Sequence, residues 1–156
     1  MVYSNFSDIK SIGIIWNASK NIEFQSLARF QQRMSERNID VKIVGYFDGK
    51  NLPDQYTAIR YLTCIRKTEL NHFYIPDSAE IKSLIDKKFD IIIDINFEKL
   101  FPLVYITDLS VASFKVGLFE AEVDPPRFDL MMEMRKPVNV DNYLSQTIQY
   151  LEMIRS

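Results

Sequence analysis

Few residues of this sequence are of the types that carry chemistry. There is one histidine, His72, and one cysteine, Cys64. A structural zinc site takes four Cys or His ligands, so these two cannot build one. A nucleophile–base pair would have to recruit one of them, and neither lies in a Gly-x-Ser-x-Gly sequence. No Gly-x-Gly-x-x-Gly follows the first apolar run, and there is no Walker A sequence. The expectation is therefore no metal, no cofactor and no assigned catalytic residue. What remains are polar residues at the ends of apolar runs: Asn17, Ser19, Asp48, Asp94, Asn96 and Glu120. Asp94 stands out because it interrupts the run Ile91-Ile92-Ile93-Asp94-Ile95. A carboxylate in such a run costs free energy unless it is hydrogen-bonded or paired. It is either a general base or ligand contact, or a side chain that binds loop amides and holds a turn.

The elements that position these residues follow from the apolar patterning. Ser11 to Trp16 is a continuous apolar run, as expected of a strand covered on both faces. Asn17-Ala18-Ser19 then turns into a helix from about Lys20 to Arg37. Its apolar stripe is Leu27, Phe30 and Met34, Ser19 is its N-cap, and Glu23 lies in its first turn. Val41 to Phe47 is a second strand, and Asp48 to Asp54 is turn chemistry. Tyr56 to Asn71 reads as either an irregular helix or a loop. His72 to Ile75 reads as a short third strand stopped by Pro76. Asp77 and Glu80 have the spacing of a capping box before a helix that carries Ile81, Leu84 and Ile85.

Phe89 to Ile95 gives the strongest strand signal and is placed at the centre of the sheet. Pro102 opens a helix with Leu103, Ile106 and Leu109 on its apolar face. Phe114 to Phe119 is a fifth strand, and Asp124-Pro125-Pro126 breaks the chain. Phe128 to Met132 is a sixth strand near an edge. Asp141 is expected to cap a last helix with Leu144, Ile148 and Leu151 on its buried face.

Strands alternating with helices imply an α/β domain, a mostly parallel sheet of about five or six strands between two helical layers. Right-handed crossovers then lead to a Rossmann-like, doubly wound topology over residues 1–156. In such a sheet ligands bind beyond the carboxyl ends of the strands. Asn17, Ser19, Asp94 and Asn96 would flank a crevice between the first and fourth strands, where amides at the start of the first helix could hold a small anion. The alternative is that Asn17 and Ser19 cap that helix and Asn96 shapes a turn.

Composition narrows the partners. Of 156 residues, 19 are basic and 21 acidic, a net charge of −2 that disfavours a general grip on nucleic acid. No run of about 18 uncharged apolar residues is present, so no membrane span is expected. Met1 to Phe6 lacks a basic region followed by an apolar run and does not read as a signal peptide, which makes the expected location cytoplasmic. Met131, Met132 and Met134 cannot all face one side of a strand. An exposed Met-rich edge from Phe128 to Met134 would suit self-association or a protein partner.

Two resemblances add to this. Phe89 to Asn96, the following helix, and Ala112-Ser113-Phe114-Lys115-Val116-Gly117-Leu118-Phe119 are similar to the N-terminal domain of heptosyltransferase-like glycosyltransferases. There an apolar strand ending in Asp is followed by a helix and a strand of the type Arg-Ile-Gly-Phe. Those enzymes have a second domain for the nucleotide-sugar donor and a Gly-Asp pair after the first strand. Here that position reads Asn17-Ala18-Ser19, without a carboxylate. Over a longer span, Ile12 to Asn17, Phe128 to Met131 and Tyr150 to Met153 resemble an uncharacterised single-domain family of Bacteroidota. The leading expectation is a non-catalytic binding or interaction module. The alternative is a ligand-binding protein or reduced glycosyltransferase-like enzyme that uses Asp94 and the first strand–helix turn on a sugar or anionic substrate.

Overall fold

The computed structural model describes residues 5–19, 23–49, 51–120 and 126–154. Its strands are β1 (Ser11–Asn17), β2 (Asp40–Phe47), β3 (Leu62–Arg66), β4 (Ile91–Asp94), β5 (Phe114–Leu118) and β6 (Leu130–Met132). The helices are α1 (Phe24–Glu36), α2 (Asp54–Thr57), α3 (Ala79–Asp86), α4 (Phe101–Leu109) and α5 (Val140–Met153). All six strands join one sheet in the order β3-β2-β1-β4-β5-β6, and every pairing is parallel. This is the three-layer Rossmann-like arrangement expected from the alternation of strands and helices.

Side-chain alternation along the central strands divides the core in two. Ile12, Ile14 and Trp16 of β1 and Ile91 and Ile93 of β4 share a buried cluster with Leu27, Phe30 and Met34 of α1 and with Tyr143, Leu144 and Leu151 of α5. Ile15 and Ile92, of opposite parity, join Ile81 of α3 and Leu103 and Ile106 of α4 in the other cluster. Asp94 has the parity of Ile92 and so faces α4. Trp16 is fully buried, with Tyr56 edge-on at 5.7 Å and Phe24 at 5.9 Å between ring centres. At the opposite end of the sheet, Asp90 accepts from the amides of Lys10 and Ser11, at 2.8 and 3.1 Å, and its own amide donates to Ser11 Oγ. These bonds fix β4 against the start of β1.

The structure corrects several boundaries. The third strand is Leu62–Arg66, inside the segment read as helix or loop, and His72 to Ile75 is a turn. Asn71 explains the turn. Its Oδ1 accepts from the amides of Phe73 and Ile75, so these groups need no ladder. Tyr74 takes a left-handed φ of 61°, and Phe73 and Tyr74 are 75% and 63% exposed. Aromatic residues favour a strand, but local hydrogen bonding overrides that propensity here.

The caps also differ. Ser78, not Asp77, caps α3, its hydroxyl accepting from the Ile81 amide. Asn139, not Asp141, caps α5. Ser19 does not cap α1, which begins at Phe24 after Glu23, with no side-chain cap. Residues 20–22, where that helix was expected to begin, lie outside the described residues, as do Asp124 and Pro125 of the expected chain break. Leu109 closes α4 half-exposed, so the apolar face of that helix ends at Ile106.

The expected Met-rich patch is absent. Phe128 and Met132 are buried, Met134 packs against the core, and only Met131 among these methionines is exposed, at 36%. Strand alternation turns Met132 inward and Met131 outward. Among the described residues, no helix is long and apolar enough to cross a membrane.

Candidate functional site

Asp94 ends β4 at 5% exposure. Its Oδ1 accepts the Asn96 amide at 2.8 Å, and its Oδ2 accepts the Thr107 hydroxyl of α4 at 2.8 Å. The Tyr143 hydroxyl of α5 donates to the Asp94 carbonyl oxygen at 3.1 Å. One residue thus joins the end of the central strand to both helical layers. Burial pushes the Asp94 carboxyl up to about 6, with the two hydrogen bonds and Arg127 pulling against that rise. Burial likewise pushes the Tyr143 phenol up, and the Asp94 charge adds to it.

Asn96 folds the loop that follows. Its Nδ2 donates to the Leu100 carbonyl at 3.1 Å, and its Oδ1 accepts the Leu100 amide at 3.0 Å. Lys99 inside this loop has a left-handed φ of 57°, and its amide donates to the Asn96 carbonyl. These bonds close the loop and leave Phe97 and Lys99 on the wall of a cavity.

That cavity has a volume of about 520 Å³ and lies beyond the carboxyl ends of β4 and β5. Asp94, Asn96 and Phe97 form one side, Leu118, Phe119 and Glu120 a second, and Arg127, Phe128 and the 136–138 segment a third. Its size and its mixture of apolar wall and converging polar groups are those of a small-molecule site.

Arg127 is held on the wall by two ion pairs. Its Nε donates to Asp108 at 2.8 Å and its Nη1 to Glu120 at 2.9 Å. The guanidinium stands 4.9 Å from the centre of the Phe128 ring. Burial pulls its pKa down, but Asp108, Asp94 and Glu120 outweigh that and hold it above the ordinary value. Glu120 also meets Lys99, with Nζ at 3.5 Å. Gly117 makes the site possible, because a Cβ there would lie 2.3 Å from the Phe128 ring.

The four residues expected to share a crevice are divided. Asp94 and Asn96 line the cavity, whereas Asn17 and Ser19 do not. Asn17 is buried behind the wall, its Nδ2 making a long contact of 3.5 Å to Glu98 and its Oδ1 accepting the Ser19 amide. Ser19 Oγ donates to Asp48 at 3.1 Å and accepts the Asp48 amide, tying the β1 turn to the end of β2. The open space extends beyond the ends of β4 and β5, and Glu23 at the start of α1 lines it as well. Glu120 was legible as a polar strand end. Arg127 and Phe97 were not, since an arginine after a Pro-Pro break reads as surface and a phenylalanine reads as core.

His72 is exposed in the turn after β3. Cys64 lies on β3, where burial pushes its thiol up to about 12 and makes it a poor nucleophile. Among the described residues, no cluster of three or more His, Cys, Asp or Glu side chains could hold a metal ion. No curated protein matches the chain. Residues 2–154 match a family of unknown function, DUF6913, and with nearly its whole length inside that match the chain belongs to this family.

Proposed function

We propose that this domain binds a small organic molecule, without transforming it, in the cavity beyond β4 and β5. The observation that carries this reading is the cavity of about 520 Å³ on which the buried Asp94 and the anchored Arg127 converge. Pre-ordered polar groups beside an apolar wall are what a ligand site needs. Both Asp94 oxygens are engaged, by Asn96 and by Thr107, which supports a positioning rather than a proton-transferring role. The glycosyltransferase resemblance enters this reading as one of fold. The segment that carries it forms a wall of the cavity, while the turn after β1 holds no carboxylate.

The test is a thermal-shift screen with nucleotides, sugar phosphates, aromatic acids and neutral analogues, run on the native protein and on Val138→Trp. Val138 lines the cavity, and a tryptophan there fills it. A ligand of the native state raises the midpoint by mass action. A compound that does so in the native protein but not in the filled variant is the expected result. A shift that survives in a folded Val138→Trp protein would overturn the reading.

A further inference from the structure

We propose that the domain has a second site, at the amino ends of the strands, where Lys42, Arg60 and Lys87 hold a compact doubly charged oxyanion of the phosphate type, free or as the head of a small ester. A pocket of about 240 Å³ lies there. Asp40 and Lys42 of β2, Arg60 and Tyr61 ahead of β3, and Lys87 and Phe89 between α3 and β4 line it. It stands at the opposite end of β4 from Asp94. The ion pairs among the described residues join Arg29, Arg37, Arg66, Lys99 and Arg127 to carboxylates and leave Lys42, Arg60 and Lys87 out. Lys42 is half-buried, and its Nζ makes one long contact, 3.4 Å, to the Arg60 carbonyl. An ammonium has three donors, so two remain. Lys87 is held with its Nζ 4.8 Å from the centre of the Phe89 ring.

Charge and size define the ligand. Burial pulls the Lys42 pKa down, Glu80 pulls against that, and Lys87 adds to it. Glu80 is not on the wall, and its carboxylate accepts the Thr63 hydroxyl at 3.0 Å. Asp40 is the one carboxylate on the wall, so three cations against it leave the wall two charges positive. Like charges gathered on one small concavity repel, and a dianion between them turns that repulsion into attraction. Arginine grips such an oxyanion through its planar fork and lysine as a point charge. The pocket has less than half the volume of the cavity beyond β4 and β5, which suits a head group rather than an extended molecule.

The experiment is an NMR titration of the isotope-labelled protein, at constant ionic strength, with inorganic phosphate, sulfate, glycerol phosphate, nitrate and chloride. The expected result is that phosphate and sulfate bind at least tenfold more tightly than nitrate or chloride and shift the amides of Lys42, Arg60, Tyr61 and Lys87. Glycerol phosphate binding as tightly as phosphate supports an ester as the source, and weaker binding supports the free ion. Lys42→Met keeps the stem, removes the charge, and should weaken phosphate binding at least fivefold. Arg60→Gln, at an exposed position, should weaken it in the same direction and decides the matter if Lys42→Met does not fold. Nitrate or chloride binding as tightly as phosphate would reduce the effect to screening and overturn the site. Phosphate binding unchanged by either substitution would overturn it as well, as would signals that move only around Asp94 and Glu120. Silence toward phosphate and sulfate would overturn this site while leaving the cavity beyond β4 and β5 untouched.

Discussion

At the scale of single residues, Asp94 makes the most definite claim. Its carboxyl holds a proton more tightly when folded than when unfolded, because burial raises its pKa to about 6 from 3.8. The folded state is therefore favoured by low pH at this site. That contribution is fully present below about pH 4 and is lost as pH rises through 6, by at most roughly 3 kcal/mol. An asparagine in its place cannot titrate. Compared with the native protein, Asp94→Asn should therefore gain relative stability between pH 4 and pH 7. Urea unfolding at the two pH values measures this, and a difference that stays constant or changes in the opposite direction would refute it. The interruption of an isoleucine run was enough to single Asp94 out in the sequence. The partners that keep it there, Thr107 and the Asn96 amide, depend on how α4 lies over the strand end, which no local pattern encodes.

At the scale of elements, the long apolar runs predict well and short or locally bonded segments do not. β1, β2, β4 and β5 are covered on both faces and read as continuous apolar stretches. β3 is an edge strand whose five residues, Leu62 to Arg66, end on a charge, so its pattern is too brief to separate from a turn. Arg127 was hidden for a related reason, since its environment is assembled from β5, α4 and its own loop. The α3 and α5 caps were misplaced by one and two residues because several cap-competent side chains stand close together. The α3 cap makes this measurable. Ser78→Ala removes the acceptor for the Ile81 amide and should cost about 1 kcal/mol. Asp77→Ala should cost a few tenths at most, because Asp77 is engaged through a long 3.4 Å contact from Asn71. Chemical denaturation of both variants would show whether the order is as stated or reversed.

At the scale of the whole molecule, the strand order reverses between β1 and β4, and the cavity stands to one side of that reversal. The half of the sheet containing β2 and β3 is closed over by Trp16, Tyr56 and the Ser19–Asp48 bonds. The cavity lies beyond the other half, against the ends of β4 and β5. The sheet order was therefore a guide to the end of the molecule where the cavity lies. The β6 edge was expected to offer a sticky apolar surface. Only Met131 does so, and one exposed methionine is far below the area a stable interface needs. Met131→Lys should leave both unfolding free energy and solution mass unchanged, to within about 0.5 kcal/mol for the former. Sedimentation that showed dissociation of an oligomer in the variant would revive the edge as an interface.

The position of Trp16 gives this chain a spectroscopic consequence. It is the one tryptophan in the sequence, fully buried and in ring contact with Tyr56 and Phe24 on the closed side of the sheet. Its emission should be blue-shifted in the folded state and fed by energy transfer from Tyr56, and it should turn red when β1 loses α1. Because β1 lies in the middle of the strand order, that colour change reports the collapse of the central sheet rather than the loosening of an edge. The cavity, by contrast, has no tryptophan on its wall. Intrinsic fluorescence will therefore watch folding while remaining nearly blind to what fills the site.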